Sequence, residues 1–269
     1  LQKKDFIKLL DCQAVFILTP NNTHLKYIHE LSKKNLYIFC EKPPVSSLEG
    51  YNNLIKVNQN KIYYNFNFRF SKLSEIFSSI KKYNFGNFLY GSLIIGHGLA
   101  FKKGFKDSWR SNKKKIPNGV FEIVGIHWID FINYHLNIKG LTKVNNSHKK
   151  INNSIDSSYI TIRTKNNKII NIFCSYVSPL IDEKIFIFEN GYICQKSENI
   201  EIRGPTMSFD KNNMFKKPPL IKRFKYNDRK DYDLGLEKSV DYFLNRVKKK
   251  KFFKKKETKK SLESNYFLF

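Results

Sequence analysis

The chain has 269 residues, 41 % of them hydrophobic, with 49 Lys and Arg against 23 Asp and Glu for a formal net charge of +26. That length and apolar content suit one large or two ordinary globular domains, each with its own core. They exclude a helix crossing a bilayer, because no run approaches the roughly 20 apolar residues one needs. The opening LQKKDFIKLLDC lacks the long apolar core and small-residue cleavage site of a signal peptide, so a cytoplasmic location is expected. Cys12, Cys40, Cys174 and Cys194 lie far apart in or beside apolar runs, with no CxxC pair, so neither a disulfide framework nor a metal site is expected. The cationic excess raises nucleic acid or an anionic membrane as a partner. It is spread along the chain with Asn, Ile, Phe and Tyr instead of gathered on one face, and both partners are set aside. Residue 1 is Leu, so the chain is read as a fragment or a truncated copy of a longer protein.

AVFILTP, residues 14–20, is the continuous apolar run of a strand buried on both faces of a parallel sheet. Asn21 and Asn22 are good helix N-caps, and His24, Tyr27, Ile28 and Leu31 follow at the spacing of one helical face. YIFC, from Tyr37, is a second short buried strand. Ser46 with Glu49 makes a capping box for a helix carrying Leu48, Tyr51 and Ile55 on one side. KIYYNFNFRF, from Lys61, is a third strand. Strand, helix, strand, helix, strand with short connections predicts an open parallel sheet, whose ligands bind outside the carboxyl ends of the strands. Those ends fall at Thr19, at Glu41 with Lys42, and at Asn67 to Arg69.

After Arg69 the pattern changes. NFGNFLYGSLIIGHGL reads as a strand, residues 117–136 as a helix, and SSYITIRT, KIINIFCSYV, KIFIFEN and GYICQ as further strands. Asn166 with Asn167, and Asn190 with Gly191, supply residues that tolerate positive φ in tight hairpins. The expected architecture is therefore α/β over residues 1–70, followed by an α+β domain with an open antiparallel sheet over 71–269. The lysine run from Arg246 to Lys260, interrupted by Phe252 and Phe253, reads as a solvated helix or frayed tail.

Two groups stand out for chemistry. Lys42 sits at a strand's carboxyl end between Glu41 and Pro43, where an amine can hold a substrate hydroxyl and assist proton transfer. His127 lies in NGVFEIVGIHWIDF, after Gly119 and Gly125, which permit close backbone approach, with Asp130 placed three residues on to orient its imidazole.

In order, TPNNTH, EKP about twenty residues later, NFNFRF, Trp109 with Arg110, and NGVxxxxGIHWID resemble the Gfo/Idh/MocA family, the glucose-fructose oxidoreductase and inositol dehydrogenase relatives. The resemblance covers essentially the whole chain. It implies the later half of a Rossmann domain binding NAD or NADP, beside an open-sheet domain that binds a sugar-like substrate and pairs subunits into a homo-oligomer. The implied reaction is hydride transfer between nicotinamide and a secondary alcohol or keto carbon of a sugar, cyclitol or sugar derivative. By the same resemblance Lys42 contacts substrate and cofactor ribose, and His127 is the acid/base. Thr19, Pro20, Asn21, His24 and Glu41 belong to the cofactor-contacting turns, while Arg69, Trp109 and Arg110 line the cleft.

The pattern departs from the family twice. No GxGxxG loop is present; Gly96-His97-Gly98 lacks the third glycine, and roughly the first 60 to 70 residues of the family fold have no counterpart. The aspartate usual four residues before the histidine is replaced by Ile123. Glu122 is adjacent, but one residue of helix rotates a side chain by about 100°, so it substitutes only if the helix register shifts. These departures keep open an alternative, a pseudoenzyme whose sheet serves as an oligomerisation scaffold, and the net charge of +26 keeps a basic nucleic-acid-binding protein as a third reading behind it.

Overall fold

The computed structural model describes residues 12–147 and 154–269. The residues 1–11 read above for signal-peptide features lie outside the described residues. Three parallel strands, β1 (Ala14–Ile17), β2 (Tyr37–Glu41) and β3 (Ile62–Asn65), form a sheet in sequential order, with α1 (His24–Ser32) and α2 (Leu48–Leu54) as crossovers. The central strand β2 is buried from Tyr37 to Cys40, as an apolar run in a parallel sheet must be. The first strand departs from expectation. It ends at Ile17, pairs only with β2 among the described residues, and leaves Leu18 65 % exposed.

The helices follow the expected faces with local shifts. A short 3₁₀ turn, Asn21–Thr23, precedes α1, which buries His24, Ile28 and Leu31. Asn21 does not cap that helix; its side chain turns inward. The cap of α2 is Ser47, whose Oγ accepts from the Gly50 amide at 3.0 Å, and not Ser46. With that one-residue shift the buried face becomes Gly50 and Leu54, Leu48 and Ile55 are exposed, and Ser46 is free for another contact.

The second sheet has eight strands: β4 (Phe88–Gly96), β5 (Ile138–Asn146), β6 (Ser157–Thr164), β7 (Ile169–Ser175), β8 (Ile181–Phe188), β9 (Tyr192–Lys196), β10 (Asn199–Arg203) and β11 (Leu220–Lys225). Their order is β11-β10-β9-β8-β4-β7-β6-β5. The sheet is mixed and not wholly antiparallel, because β4 and β7 run parallel. The chain leaves β4 through α4 (Ile126–Leu136) and returns by the β5–β6–β7 meander, so β7 arrives alongside β4 in the same direction. Asn167 takes the left-handed conformation, φ 56°, in the β6–β7 turn. Neither Asn190 nor Gly191 does so between β8 and β9. Gly191 is needed there for space, since a Cβ would stand 2.4 Å from the Arg203 carbonyl oxygen.

One face of this sheet packs on α4 and on α3 (Lys72–Ser78), where Phe131 and Phe77 both meet Phe186. The opposite face carries a row across four neighbouring strands, Val144, Tyr159, Phe173 and Ile94 in register, of which only Phe173 is less than exposed.

The C-terminal segment is not a frayed tail. Helices α5 (Asp228–Lys248) and α6 (Lys255–Tyr266) fold back on the first sheet, and Phe243, Val247 and Phe253 close an aromatic cluster with Tyr37, Phe39 and Tyr63. The rings of Phe243 and Phe253 stack at 5.8 Å and 9°. The two phenylalanines of the lysine run thus part ways: Phe253 is core, and Phe252 faces solvent. Phe243→Ala is expected to destabilise the protein by roughly 3–5 kcal/mol in urea denaturation, whereas Phe252→Ala changes it by less than about 0.5 kcal/mol.

Candidate active site

Lys42 follows β2 directly, and its Nζ donates to the Ile123 carbonyl at 2.8 Å. Burial lowers its pKa from 10.5 to about 8; Glu41 and Glu122 oppose that shift, and the Arg110 charge adds to it. His127, in the first turn of α4, is buried and stacks on Phe68 with ring centroids 4.4 Å apart at 22°. Its Nδ1 is buried with no hydrogen-bond partner. Burial first, then the Lys42 charge, holds its pKa well below 6.5, so the ring is neutral at physiological pH. Lys42 and His127 line one cavity of about 420 Å³, together with Phe68, Arg110, Ile123, Val124 and Trp128.

The helix bearing His127 begins with a π-helical turn, Phe121–Gly125. In an α-helix a residue five positions before His127 would point well away from it, since each residue rotates by about 100°. A π turn, bonded i to i+5, wraps five residues into about one revolution and brings Glu122 round. The helix is therefore out of α-helical register at Glu122, whose carboxylate turns to Asn21 and Ser46. The carboxylate is fully buried at the carboxyl ends of β1 and β2, where its Oε1 accepts from Asn21 Nδ2 at 3.0 Å and from Ser46 Oγ. Burial raises its pKa, against the hydrogen bonds from Ser46 and Asn21, and its Oε2 is unpartnered. The same turn presents the Ile123 carbonyl to Lys42.

The remaining residues singled out in the sequence divide between cavity and scaffold. His24 is fully buried, with Nδ1 2.9 Å from the Pro43 carbonyl oxygen and Nε2 2.8 Å from that of Thr19, so it ties the turn after β1 to the turn after β2. Burial lowers its pKa, while the two carbonyl oxygens favour the protonated ring. Thr19 Oγ1 is 2.7 Å from Thr23 Oγ1, and the Pro20 carbonyl accepts from the Thr23 amide at 2.9 Å. Glu41 accepts from Asn65 Nδ2 at 2.7 Å. Arg110 lines the cavity; Trp109 does not, and its ring lies 4.7 Å from the Arg110 guanidinium.

Asp130 does not orient His127. It is fully buried and grips Arg69 with both oxygens, at 2.8 and 2.6 Å, and Arg69 also donates to Ser261 Oγ at 3.0 Å. Three residues on from His127, Asp130 faces the 3₁₀ turn Asn67–Phe70 that carries Arg69, and a buried carboxylate takes the nearest guanidinium. The pair sits outside the cavity and fastens α4 to α6. Sequence reasoning missed the opposite wall, formed by Asp182, Gln195, Tyr226, Asp228 and Asp231, and also missed His97. Gln195 ends a strand expected from the sequence, whereas Asp182 lies where β8 begins three residues before the expected KIFIFEN, and nothing in the local pattern marks either polar side chain as a site.

This cavity lies outside the carboxyl ends of a parallel, Rossmann-type sheet and is roofed by a second, mixed sheet. Residues 3–63 match the Gfo/Idh/MocA family model, described as an oxidoreductase family with an NAD-binding Rossmann fold. The whole fold is shared with solved dehydrogenases at low identity. A levoglucosan dehydrogenase in complex with NADH and levoglucosan superposes with a TM-score of 0.80 at 14 % identity, covering 98 % of this chain and 79 % of that one. A myo-inositol dehydrogenase from Corynebacterium glutamicum gives 0.73 at 17 %, covering 98 % and 78 %. An oxidoreductase from Thermotoga maritima gives 0.77 at 17 %, covering 97 % and 76 %. A search of curated proteins finds no match.

The carboxylate beside Lys42 opposes the loss of its proton. Glu122→Gln keeps the shape and an acceptor for Ser46 but removes the charge, so Lys42 should titrate below about 8, by NMR of labelled lysine side chains. An unmoved or raised pKa would show that Glu122 does not act on Lys42.

Proposed function

We propose that the protein is an NAD(P)-dependent oxidoreductase that moves a hydride between nicotinamide and a secondary alcohol or keto carbon of a sugar, cyclitol or sugar derivative. The observation that carries this reading is that a lysine with a pKa near 8 and a neutral histidine with a free ring nitrogen line one cavity beyond the strand ends. The residues fit the nicotinamide and ribose end of NAD or NADP: Lys42 and Glu41 after β2, and Thr19, Pro20 and Asn21 after β1. His24 serves by holding those two turns together. The bound dinucleotide supplies hydride transfer.

The protein's own task is the proton. Above a pH of about 8 the neutral Lys42 amine takes the proton of the substrate hydroxyl as the alcohol is oxidised; as ammonium it returns that proton when the ketone is reduced. The Ile123 carbonyl fixes the amine, and the neutral His127, held in plane by Phe68, offers a ring nitrogen to the same hydroxyl. Ile123, Val124 and Trp128 supply apolar walls that keep water from the reacting centre. Lys42→Met and His127→Asn should each lower turnover by about 10²- to 10⁴-fold on the sugar or cyclitol the enzyme accepts, with the melting temperature little changed. Oxidation should rise with pH through about 8 and reduction should fall; a Lys42→Met enzyme with full activity would sink the assignment.

The second sheet supports pairing of two copies in the same reading. Its exposed row of Val144, Tyr159, Phe173 and Ile94 is an apolar stripe on a flat surface that a symmetric partner would cover. Tyr159→Asp should convert a dimer or larger oligomer to monomer by light scattering. A wild-type protein that is already monomeric would refute the pairing.

A further inference from the structure

Between β10 and β11 the chain leaves the edge of the second sheet and makes a short hairpin over residues 205–219, none of which is buried. At its base the Gly204 amide donates to the Pro219 carbonyl at 2.9 Å and the Thr206 amide to the Asn190 carbonyl at 3.1 Å. Its arms are joined by the Lys216 amide to the Ser208 carbonyl at 2.8 Å and the Asp210 amide to the Met214 carbonyl at 3.0 Å. At the tip Asp210 Oδ1 accepts from the Asn212 and Met214 amides, at 2.8 and 3.0 Å, and Asn213 takes the left-handed conformation, φ 60°. Polar turn chemistry fixes this backbone, and what it displays is apolar. Phe209 and Phe215 face each other across the arms with ring centroids 5.1 Å apart, and Met207, two residues earlier, falls on the same face. Phe209 is 49 % exposed, Met214 65 %, Met207 82 % and Phe215 88 %.

Single exposed apolar residues are ordinary, but four on one hairpin make a patch, and a two-stranded hairpin with nothing over its apolar face is marginal in water. Charge gathers on the same stretch. Residues 205–225 hold Lys211, Lys216, Lys217, Lys222, Arg223 and Lys225 against Asp210 alone, six cations against one acid for a net +5. Arg223 is held by Glu201 at 2.7 Å, and the five lysines are all exposed. The cationic excess that runs through the whole sequence is here joined to bare apolar side chains.

Those two features together select the partner. A second copy docking hairpin to hairpin would set five positive charges against five. A nucleic acid would be held by the lysines but would leave Met207 and Met214 unused, since bases stack on aromatic rings. An anionic lipid surface uses both: headgroups take the lysines, and the interface takes Phe and Met. The hairpin's internal hydrogen bonds keep its backbone satisfied as the tip enters. Among the described residues no helix is long and apolar enough to cross a membrane, so the contact is with the surface.

We propose that the hairpin over residues 205–219 docks the protein on an anionic lipid surface, with Met207, Phe209, Met214 and Phe215 entering the interface and the flanking lysines on the headgroups. The inference is independent of the reaction proposed above.

Sedimentation of the purified full chain with vesicles tests it, using phosphatidylcholine alone and phosphatidylcholine with about one-third phosphatidylglycerol. Binding is expected to the anionic vesicles only. Phe209→Ser/Phe215→Ser should weaken it by roughly tenfold or more with the melting temperature unchanged, and each of Lys211→Gln, Lys216→Gln and Lys217→Gln by roughly fivefold. In Phe215→Trp, anionic vesicles should move the added tryptophan emission to shorter wavelength. Because a chain of +26 can adsorb to any anionic surface, the phenylalanine variant decides: adsorption that it leaves undiminished overturns the proposal. Absence of binding to the anionic vesicles overturns it too. If the same variant then abolishes retention on duplex DNA, or dissolves a dimer seen by light scattering, the hairpin belongs to a nucleic acid or to a second copy instead.

Discussion

An ammonium buried at the end of a strand has to be given acceptors and countercharge, and much of the candidate site follows from how Lys42 meets that demand. Its proton donor is met by a carbonyl from another part of the chain, Ile123, and its charge by Glu41 beside it and Glu122 opposite. Neither distant group would be in place in a regular α-helix. The π turn at Phe121–Gly125 supplies both, aiming a carboxylate at the strand ends and a backbone oxygen at the amine. One-turn π insertions cost hydrogen-bond regularity and are concentrated where a helix must present groups out of register. Here the cost is met by contacts to both β-strand turns, through Asn21 and Ser46.

That arrangement also orders the hydrogen bonds around it. His24 joins the turns after β1 and β2, so the turn that carries Lys42 is tied to the one before it. Arg69 and Asp130 do the corresponding work behind the cavity, joining the end of β3 to α4 and α6. A guanidinium paired bidentately and buried is a poor candidate for exchange with a ligand, because leaving it would strand a carboxylate in the interior. Motif position alone put Arg69 and Asp130 near the chemistry; their partners put them in the frame.

How much of this was legible in the sequence depends on the range of the interaction. The three parallel strands, the face of α1 and the positions of Lys42 and His127 follow from local apolar periodicity and abrupt polar turns, and these match the structure within a few residues. Glu122 was legible as a conflict: a carboxylate one residue out of register has to be either idle or served by an irregular helix. Single-residue errors had consequences at Ser46 and Ser47, where both serines fit a cap and only three-dimensional demand from Glu122 separates them. The burial of Phe253, and the wall of Asp182, Gln195, Asp228 and Asp231, were not legible. Those residues meet across the fold from strands β8 and β9 and helix α5, and no spacing along the chain records it.

Net charge misleads at the cavity for the same reason. A chain of +26 suggests an anionic partner, yet the cavity lining matches three cations, Lys42, Arg110 and Arg229, with three carboxylates, Asp182, Asp228 and Asp231. The basic residues are mostly exposed, where solvent screens them beyond about 10 Å at moderate salt. Of the acidic residues that line the cavity, Asp182 and Asp231 are half-buried between β8 and α5, where screening is weaker than on the open surface, and Asp228 is exposed. The polarity of the cavity is then a property of how α5 docks: the helix that seals the aromatic cluster on the first sheet through Phe243 carries Asp228 and Asp231 at its other end. Packing of the core and the electrostatics of the site are in this way determined by one element.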